Sequence, residues 1–531
     1  MRTWLSLCAL VLVAGPAPAQ ALVSPYELTE KAAQHLSTIP ELFRSRIRYF
    51  SAQDVPDALQ PALRSSLFFA CNSLHTRPHI ALPRLVPGSR QQLYWFDLTW
   101  YGWSPEVWEF IASKEPYFIE PIVPSWGEGY NFLKAYTHSQ RPLVRASWFI
   151  HYALDTTLNL DAKSNQDDHA FYYLLVFGKK KIQVPVQKKV TKQVQVPVTE
   201  YQLVRYGNYY QQQPVTRYVT QTQEETVTDY ETKIVSAAPK TAREFEDFFR
   251  LDFTALKDFP IDIGAAIDEA KSGVSYRNRV LWRIRGSLGT YWRTFDVLRS
   301  VRQQDLLQNP FPEKFDAGEH IFQDDKGAQF YMLSDGDGKR VEFADPRLVS
   351  GSGIGHPAVL NAIGCIICHD QGILRFKNEH IRLNQLGIRF FSASYPQAER
   401  FRQFFVTNRI EHWLERDQDE YAHFVRACNG LTPVENAKQL ASLKRFYEQA
   451  LDSKQAAREL GCSLVELREA LGLGIGTPAK PAGTIQARLA QLALESGSVP
   501  RYTWEQDLYR EAALLLLERR KRLLLHTPRV P

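Results

Sequence analysis

Several common catalytic and binding motifs are missing from this sequence of 531 residues. It has no H-E-x-x-H, no G-x-S-x-G and no P-loop, so nothing supports a zincin protease, an α/β-hydrolase or a P-loop nucleotide-binding protein. Lys and Arg do not cluster among aromatic residues, and the formal net charge is only +6. This pattern predicts that the protein has no nucleic-acid partner.

Long apolar runs are absent beyond the N-terminus. The one run there, Trp4–Ala14, follows the basic residue Arg2 and precedes small residues that offer A-x-A cleavage sites. It is too short to span a bilayer, which requires about 20 apolar residues. We therefore predict a signal peptide at residues 1–21, a periplasmic or secreted mature protein, and no membrane span after signal removal.

Cysteine is scarce, with six in the whole chain, but two of them stand in an informative place. The segment Cys365-Ile366-Ile367-Cys368-His369 has the form C-x-x-C-H. Residues three and four apart share one face of a helical turn, so both thiols can form thioethers to one porphyrin while the imidazole binds its iron. The motif predicts one covalent haem c as cofactor, attached at Cys365 and Cys368, with His369 as the proximal iron ligand.

Other interpretations of the two cysteines stay open behind haem. A C-x-x-C pair can be a redox dithiol, although the preceding HPAVLNAIG does not resemble the strand of a βαβ unit. The pair can also supply two of the four ligands of a zinc site, but the sequence has no second C-x-x-C. A site without any cofactor is the weakest alternative.

Methionine is nearly absent, since the chain has only Met1 and Met332. Met1 leaves with the signal peptide, and no Met follows Cys368, which excludes the downstream axial Met of small c-type cytochromes. The candidates for the distal iron ligand are therefore Met332 and His356, which both precede the motif. A distal Met raises the haem potential, a distal His lowers it, and an open position permits ligand binding or peroxidase-like chemistry.

Composition divides the mature chain into four segments. Residues 22–178 are predicted to form an α-rich N-terminal domain, residues 239–430 the c-type haem-binding region and residues 431–531 a C-terminal helical region. Residues 179–238 differ, with the echo IQVPV and VQVPV, a basic first half, an acidic second half and Gly207-Asn208 between them. We predict an inserted β-ribbon there, or alternatively a disordered segment. The predicted fold class is mainly α with minor β, a multi-helical c-type haem region plus the inserted ribbon.

Several segments together resemble a known family, in the order QLYWFDLTWYGWSPEVWE, VRASWFIHYA, PKTAREFEDFFRLD, SGVSYRNRVLWRI, GTYWRTFDV, GEHIFQDDKGAQFYML and NAIGCIICHDQGI. The family consists of uncharacterised exported bacterial proteins with a single c-type haem. The resemblance covers most of the mature chain except residues 179–238. It implies electron transfer through a haem at Cys365, Cys368 and His369, and it implies no substrate. Members often have a Leu-Pro-Asn-Gly-type turn where this chain has residues 323–327, a difference to which no chemistry is attached.

The function predicted from these observations is that of an exported mono-haem electron carrier, non-enzymatic, with a redox protein as its partner. Two alternatives remain: a haem enzyme, or a haem-based sensor or scaffold with an open iron site. The sequence leaves the oligomeric state undetermined. A cytochrome c domain requires far fewer residues than this chain has, so further roles are expected beyond carrying one electron.

Overall fold

The computed structural model describes residues 25–120, 127–157, 170–251, 262–266, 278–297, 315–344, 359–376, 410–471, 485–492, 494 and 497–526. The predicted signal peptide and the candidate ligand His356 lie outside these ranges. The chain divides into two compact units, of which the smaller is Gly178–Ala237 and the larger comprises the residues on either side of it. The segments predicted as an N-terminal domain, a haem-binding region and a C-terminal region thus belong to one unit.

The larger unit contains short and medium helices throughout its length. They are α1 (Pro25–Thr38), α2 (Glu41–Arg44), α3 (Gln60–Ser73), α4 (Leu98–Tyr101), α5 (Pro105–Ser113), α6 (Glu128–Thr137), α7 (Ala146–Leu154), α8 (Phe171–Phe177), α9 (Ala242–Phe248), α10 (Ile363–Cys368), α11 (Ile410–Asn429), α12 (Pro433–Glu448), α13 (Ser453–Leu460), α14 (Leu464–Ala470), α15 (Ile485–Leu492), α16 (Arg501–Thr503) and α17 (Tyr509–His526). Local sequence explains where several begin. Thr432 caps α12 in a capping box with Glu435, and Ser104 accepts the Val107 N–H at the start of α5. None of the described helices is long and apolar enough to cross a membrane.

A four-stranded sheet organises the N-terminal part of the larger unit. Its strands, in spatial order, are β2 (Arg84–Leu85), β3 (Leu93–Asp97), β1 (Ile47–Ser51) and β4 (Leu143–Arg145). β1 pairs antiparallel with β3 and parallel with β4, and all five of its residues are buried. Leu28 and Leu36 from α1 and Leu133 from α6 pack with Tyr49 of β1 in one hydrophobic cluster. The two-stranded pair β13 (Leu451–Asp452) and β14 (Ser498–Val499) lies among the C-terminal helices.

An antiparallel sheet of six strands forms the centre of the predicted haem region. Its strands are β7 (Asp262–Ala266), β8 (Asn278–Arg285), β9 (Gly289–Val297), β10 (Ala317–Asp324), β11 (Gln329–Asp335) and β12 (Arg340–Val341), in sequential spatial order. Side chains alternate between the two faces of each strand. One face carries Phe322 and Phe330 against Phe249, which follows α9. The other face contacts α11, where Trp292 Nε1 donates to Asp417 at 2.7 Å.

The prediction of a mainly α fold with minor β is wrong. The structure is 46% helix and 28% strand, with four sheets. The sequence conceals β8 because two of its inward positions are arginines: Arg279 and Arg283 are each only 5% exposed. They pair with Asp296 at 2.7 Å and with Asp417 at 2.8 Å. A buried, paired Arg resembles a solvent-facing residue in a sequence, so the period-two alternation of a strand is lost.

The smaller unit is a two-stranded antiparallel ribbon. β5 (Lys179–Tyr206) and β6 (Tyr209–Ser236) pair without interruption, and Gly207-Asn208 forms the two-residue turn. Gly207 has a φ of +61°, a conformation that Gly adopts without the steric cost of a Cβ atom. Of the two alternatives for residues 179–238, the structure has the ribbon.

Candidate haem-attachment site

The C-x-x-C-H motif forms one helical turn. Cys365 and Cys368 lie in α10, and His369 is its C-cap residue, whose N–H donates to the Cys365 carbonyl at 2.7 Å. Cys365 is fully buried and Cys368 is half-buried, and neither takes part in a disulfide. The helix packs against α12. Both thiols and the imidazole are therefore close together on a single turn.

The residue before this helix has an unusual backbone conformation. Ala362, the N-cap, has a φ of +57°, which costs a residue with a Cβ atom about 1–2 kcal/mol. It is held by a β-bridge to Asp155, and the neighbouring Asn361 donates to the Tyr173 hydroxyl at 2.8 Å. Strain of this kind persists where the surroundings enforce it, and it is common at functional sites.

The ring of His369 is fixed through both of its nitrogens. Nδ1 lies 2.9 Å from the Gly372 carbonyl oxygen, and Nε2 lies 2.9 Å from Oε1 of Glu319 in β10. A carbonyl oxygen and an ionised carboxylate both accept hydrogen bonds, so both ring nitrogens act as donors in this arrangement. The contact with Gly372 is the kind that orients a metal-binding His, because it leaves Nε2 as the ligating nitrogen.

Glu319 belongs to a buried chain of charges. Its Oε2 lies 3.4 Å from Arg279 Nη1, and Arg279 in turn pairs with Asp296. Burial by itself would raise the pKa of Glu319, but the interactions with His369 and Arg279 outweigh it and lower the pKa to about 2. Glu319 is therefore a permanently ionised partner of the His369 ring over the physiological pH range.

A small cavity adjoins His369 on the face of the sheet that carries Trp292, Glu319 and Ile321. Its volume is about 30 Å³, about the share of one water molecule in the liquid. Ile373 and Phe376, which follow the motif, also line it. The donor set fits a c-type haem: two unbridged thiols and one carbonyl-anchored imidazole share a turn. The cavity is smaller than a porphyrin, so haem attachment requires the groups that close it to move and Glu319 to release Nε2.

The thiols do not have the properties of a reactive dithiol. Burial raises the pKa of Cys365 well above that of a free thiol and raises the pKa of Cys368 to about 11, with the nearby Glu319 carboxylate acting in the same direction. Redox-active C-x-x-C pairs have lowered thiol pKa values, because the thiolate is the attacking species. The environment thus disfavours the dithiol interpretation.

The structure does not bring Met332 and His369 together. Met332 is fully buried in β11, directly opposite His320 of β10, and directly opposite residues share a face. Glu319 precedes His320 in the same strand and so faces the other side, the side of His369. The sheet separates Met332, the one Met of the predicted mature chain, from His369. The other candidate, His356, lies outside the described residues.

Glu319 is the residue of this site that sequence reasoning did not identify. It stands beside His320 in the segment GEHIF, and the alternation of that segment gives a weak strand signal. The sequence separation of 50 residues from His369 leaves no local pattern that links the two. Within the described ranges, no three or more His, Cys, Asp and Glu side chains form a group able to hold a metal ion.

Comparison with known protein families, curated proteins and solved structures finds no match to this chain. The class of protein must therefore be argued from the motif and from the geometry around it, and the family resemblance stays a prediction.

Proposed function

We propose that the chain is an exported protein that carries one c-type haem and transfers electrons to and from a redox protein partner. In this proposal Cys365 and Cys368 hold the haem through thioether bonds, and His369 binds the iron. The observation that carries it is the single turn on which two unbridged thiols stand beside an imidazole anchored at Nδ1 by the Gly372 carbonyl. The haem, when bound, supplies a one-electron couple.

The contribution of this chain's own residues follows from their contacts. The hydrogen bond from Nδ1 to Gly372 fixes the orientation of the His369 ring and raises the basicity of Nε2. Nε2 must give up its proton and its contact with Glu319 in order to act as a ligand. Arg279, which also pairs with Asp296, remains beside Glu319 and favours the ionised form of its carboxylate.

A second candidate function is a haem sensor or haem enzyme with an open iron position. The placement of Met332 favours it, since this residue lies on the far face of the sheet from His369. With the only Met of the predicted mature chain on that face, the distal position must be taken by another residue or by an exogenous ligand. An open position permits binding of small gases or peroxide.

The proposal is tested by expressing the full chain in a bacterium that has the cytochrome c maturation machinery. Haem that stays with the polypeptide on a denaturing gel, together with recovery from the periplasmic fraction, is the expected result. A matched chain that lacks residues 2–21 stays in the cytoplasm and should carry no covalent haem. If the full chain is exported but contains zinc or no metal, the proposal is wrong.

A further inference from the structure

The two faces of the ribbon differ in composition. Side chains alternate along each strand, and the register sets each residue of β5 opposite one of β6 on the same face. One face is named here the valine face. Among the ribbon residues whose side chains the structure describes, it carries nine valines: Val186, Val190, Val194, Val196, Val198, Val204, Val215, Val219 and Val227. Val190 and Val219 are about two-fifths exposed, at 41% and 40%. An apolar strip therefore runs along most of the ribbon.

The opposite face is wetter and more polar. It carries Thr and Gln residues, one exposed leucine, Leu203, and four tyrosines that are each about two-thirds exposed: Tyr201, Tyr210, Tyr218 and Tyr230. A tyrosine that keeps its hydroxyl in water requires no protein partner. The valine face is therefore the surface whose burial against a partner would be more favourable.

Two pairs of opposite charge join the strands on the valine face, which also carries Lys192 and Glu225. Lys188 lies 3.6 Å from Asp229, and Arg217 lies 3.3 Å from Glu200. Each pair joins the two strands across the face, so that a second apolar surface placed over it meets no unpaired charge at these positions. The face is therefore compatible with a copy of itself.

The edges of the ribbon are poor sites for adding another strand. Proline has no N–H to donate to a neighbouring strand and is typical of edges that resist pairing. Pro185 and Pro197 lie within β5, and Pro214 lies within β6. This leaves packing of the faces, rather than pairing of the edges, as the way for the ribbon to associate.

The size of the valine face matches a specific interface. Each strand has 28 residues. At about 3.3 Å per residue and roughly 10 Å for the width of two strands, the face covers about 900 Å². Two such faces give about 1,800 Å² of buried surface, within the range of stable protein–protein interfaces. A two-stranded hairpin by itself is only marginally stable in water, so burial of the valine face would stabilise this ribbon.

We propose that the valine face packs against the valine face of a second copy of this chain, forming a two-layered sandwich of ribbons and a homodimer. In a dimer with two-fold symmetry, the same surface of each copy is buried in the interface. Aligned packing of two sheets about 10 Å apart buries the inward valines of both layers. The inference is independent of the haem.

The test measures the mass of the full chain in solution by sedimentation equilibrium and light scattering. The valine-face variant combines Val194→Thr, Val196→Thr, Val198→Thr and Val219→Thr, which keep β-branched shape but add hydroxyls. The matched control on the other face combines Tyr201→Thr, Leu203→Thr and Tyr218→Thr. We expect a dimer for the unmodified chain, at least about tenfold weaker dimerisation for the valine-face variant, and little change for the control.

A third variant covers the case in which the valine-face variant fails to form its ribbon by circular dichroism. Residues 183–232 are replaced by Asn-Gly, so that Ile182 and Lys233, which are paired in the register, flank a two-residue turn. This shortened chain should be monomeric. A monomeric unmodified chain, a dimeric shortened chain, or equal weakening by the valine-face variant and its control would overturn the proposal.

Discussion

The Nε2 atom of His369 lies 2.9 Å from Oε1 of Glu319, so that a carboxylate holds the ring nitrogen with which a haem-binding His contacts iron. The contact joins α10 to the central sheet. In the function proposed above, His369 exchanges this contact with Glu319 for the haem iron.

Glu319→Gln tests this relationship. In haem-free protein we expect the substitution to lower the free energy of unfolding by about 2 kcal/mol, because a buried charge-assisted hydrogen bond is replaced by a neutral one. In the haem-bound protein the loss should be clearly smaller, since His369 Nε2 no longer depends on the carboxylate. Urea unfolding of both forms measures the difference.

A double-mutant cycle with His369→Ala provides the control for this prediction. In the haem-free chain the two substitutions should be non-additive by about 0.5–3 kcal/mol, as for residues in direct contact. If Glu319→Gln lowers the free energy of unfolding equally in the haem-free and haem-bound forms, the contact between Glu319 and His369 persists when haem is bound, contrary to our account.

Substitution of the attachment cysteines tests the covalent bonds. Cys365→Ser and Cys368→Ser should each leave at most one thioether, and the double variant should lose all haem that survives denaturation. Cys462→Ser is the matched control, because that thiol is also buried and unbridged but lies far along the chain in the C-terminal helical region. Haem staining of denatured protein is the measurement. Retention of covalent haem by the double variant is incompatible with this site.

The C-x-x-C-H motif can be recognised in the sequence because its three side chains lie within five consecutive residues. The role of Glu319 cannot be predicted from the sequence, because it is the strand register that brings this residue to His369. The same limit applies to Met332: a shift of one residue in register exchanges the two faces of a strand. The ribbon could be predicted because its turn signal and charge pattern are local. Strand β8 of the central sheet could not be predicted, since paired arginines occupy two of its interior positions.

Asp417→Asn tests how α11 is held on the central sheet. Asp417 is buried and receives two hydrogen bonds from Arg283, at 2.8 and 2.9 Å, as well as one from Trp292. Removing the Asp417 charge leaves the buried Arg283 guanidinium with the more distant Asp262 carboxylate, 3.6 Å away, and breaking a buried ion pair in this way costs about 3–5 kcal/mol. Thermal or urea unfolding should show a loss of this size.

The exposed pair of Arg285 and Asp325 supplies the matched control for that loss. The two side chains lie 2.7 Å apart but are 47% and 60% exposed. Water screens such a pair, so Asp325→Asn should cost less than about 1 kcal/mol. Equal losses of unfolding free energy in the two variants would show that burial does not decide the strength of the Asp417 contact. Our explanation of why the sequence does not reveal β8 would then be wrong.

A buried acid predicts a pH-dependent stability. Burial raises the pKa of Glu115 to about 7 from 4.5, despite its hydrogen bond from the Arg145 N–H at 2.7 Å. The native state therefore holds this proton more tightly than the unfolded state. The contribution of Glu115 to the free energy of unfolding is largest below pH 4.5 and is lost as the pH rises through 7. The full difference is about 3 kcal/mol.

Glu115→Gln removes this dependence while keeping an acceptor for the Arg145 N–H. Relative to the unmodified chain, the variant should gain about 2–3 kcal/mol between pH 5 and pH 8.5. Urea unfolding at the two pH values gives the comparison. A constant difference between the two proteins over this interval would mean that Glu115 is ionised in the native state throughout.

The most direct test of the account is the visible absorption spectrum of the reduced, exported protein, recorded with and without carbon monoxide. The account predicts a c-type haem spectrum that stays with the chain after denaturation. A spectrum indifferent to carbon monoxide indicates a six-coordinate carrier and directs the search for the distal ligand to His356, whereas a shifted spectrum indicates an open iron. A protein with no haem spectrum contradicts the account and returns Cys365 and Cys368 to the zinc or dithiol interpretations.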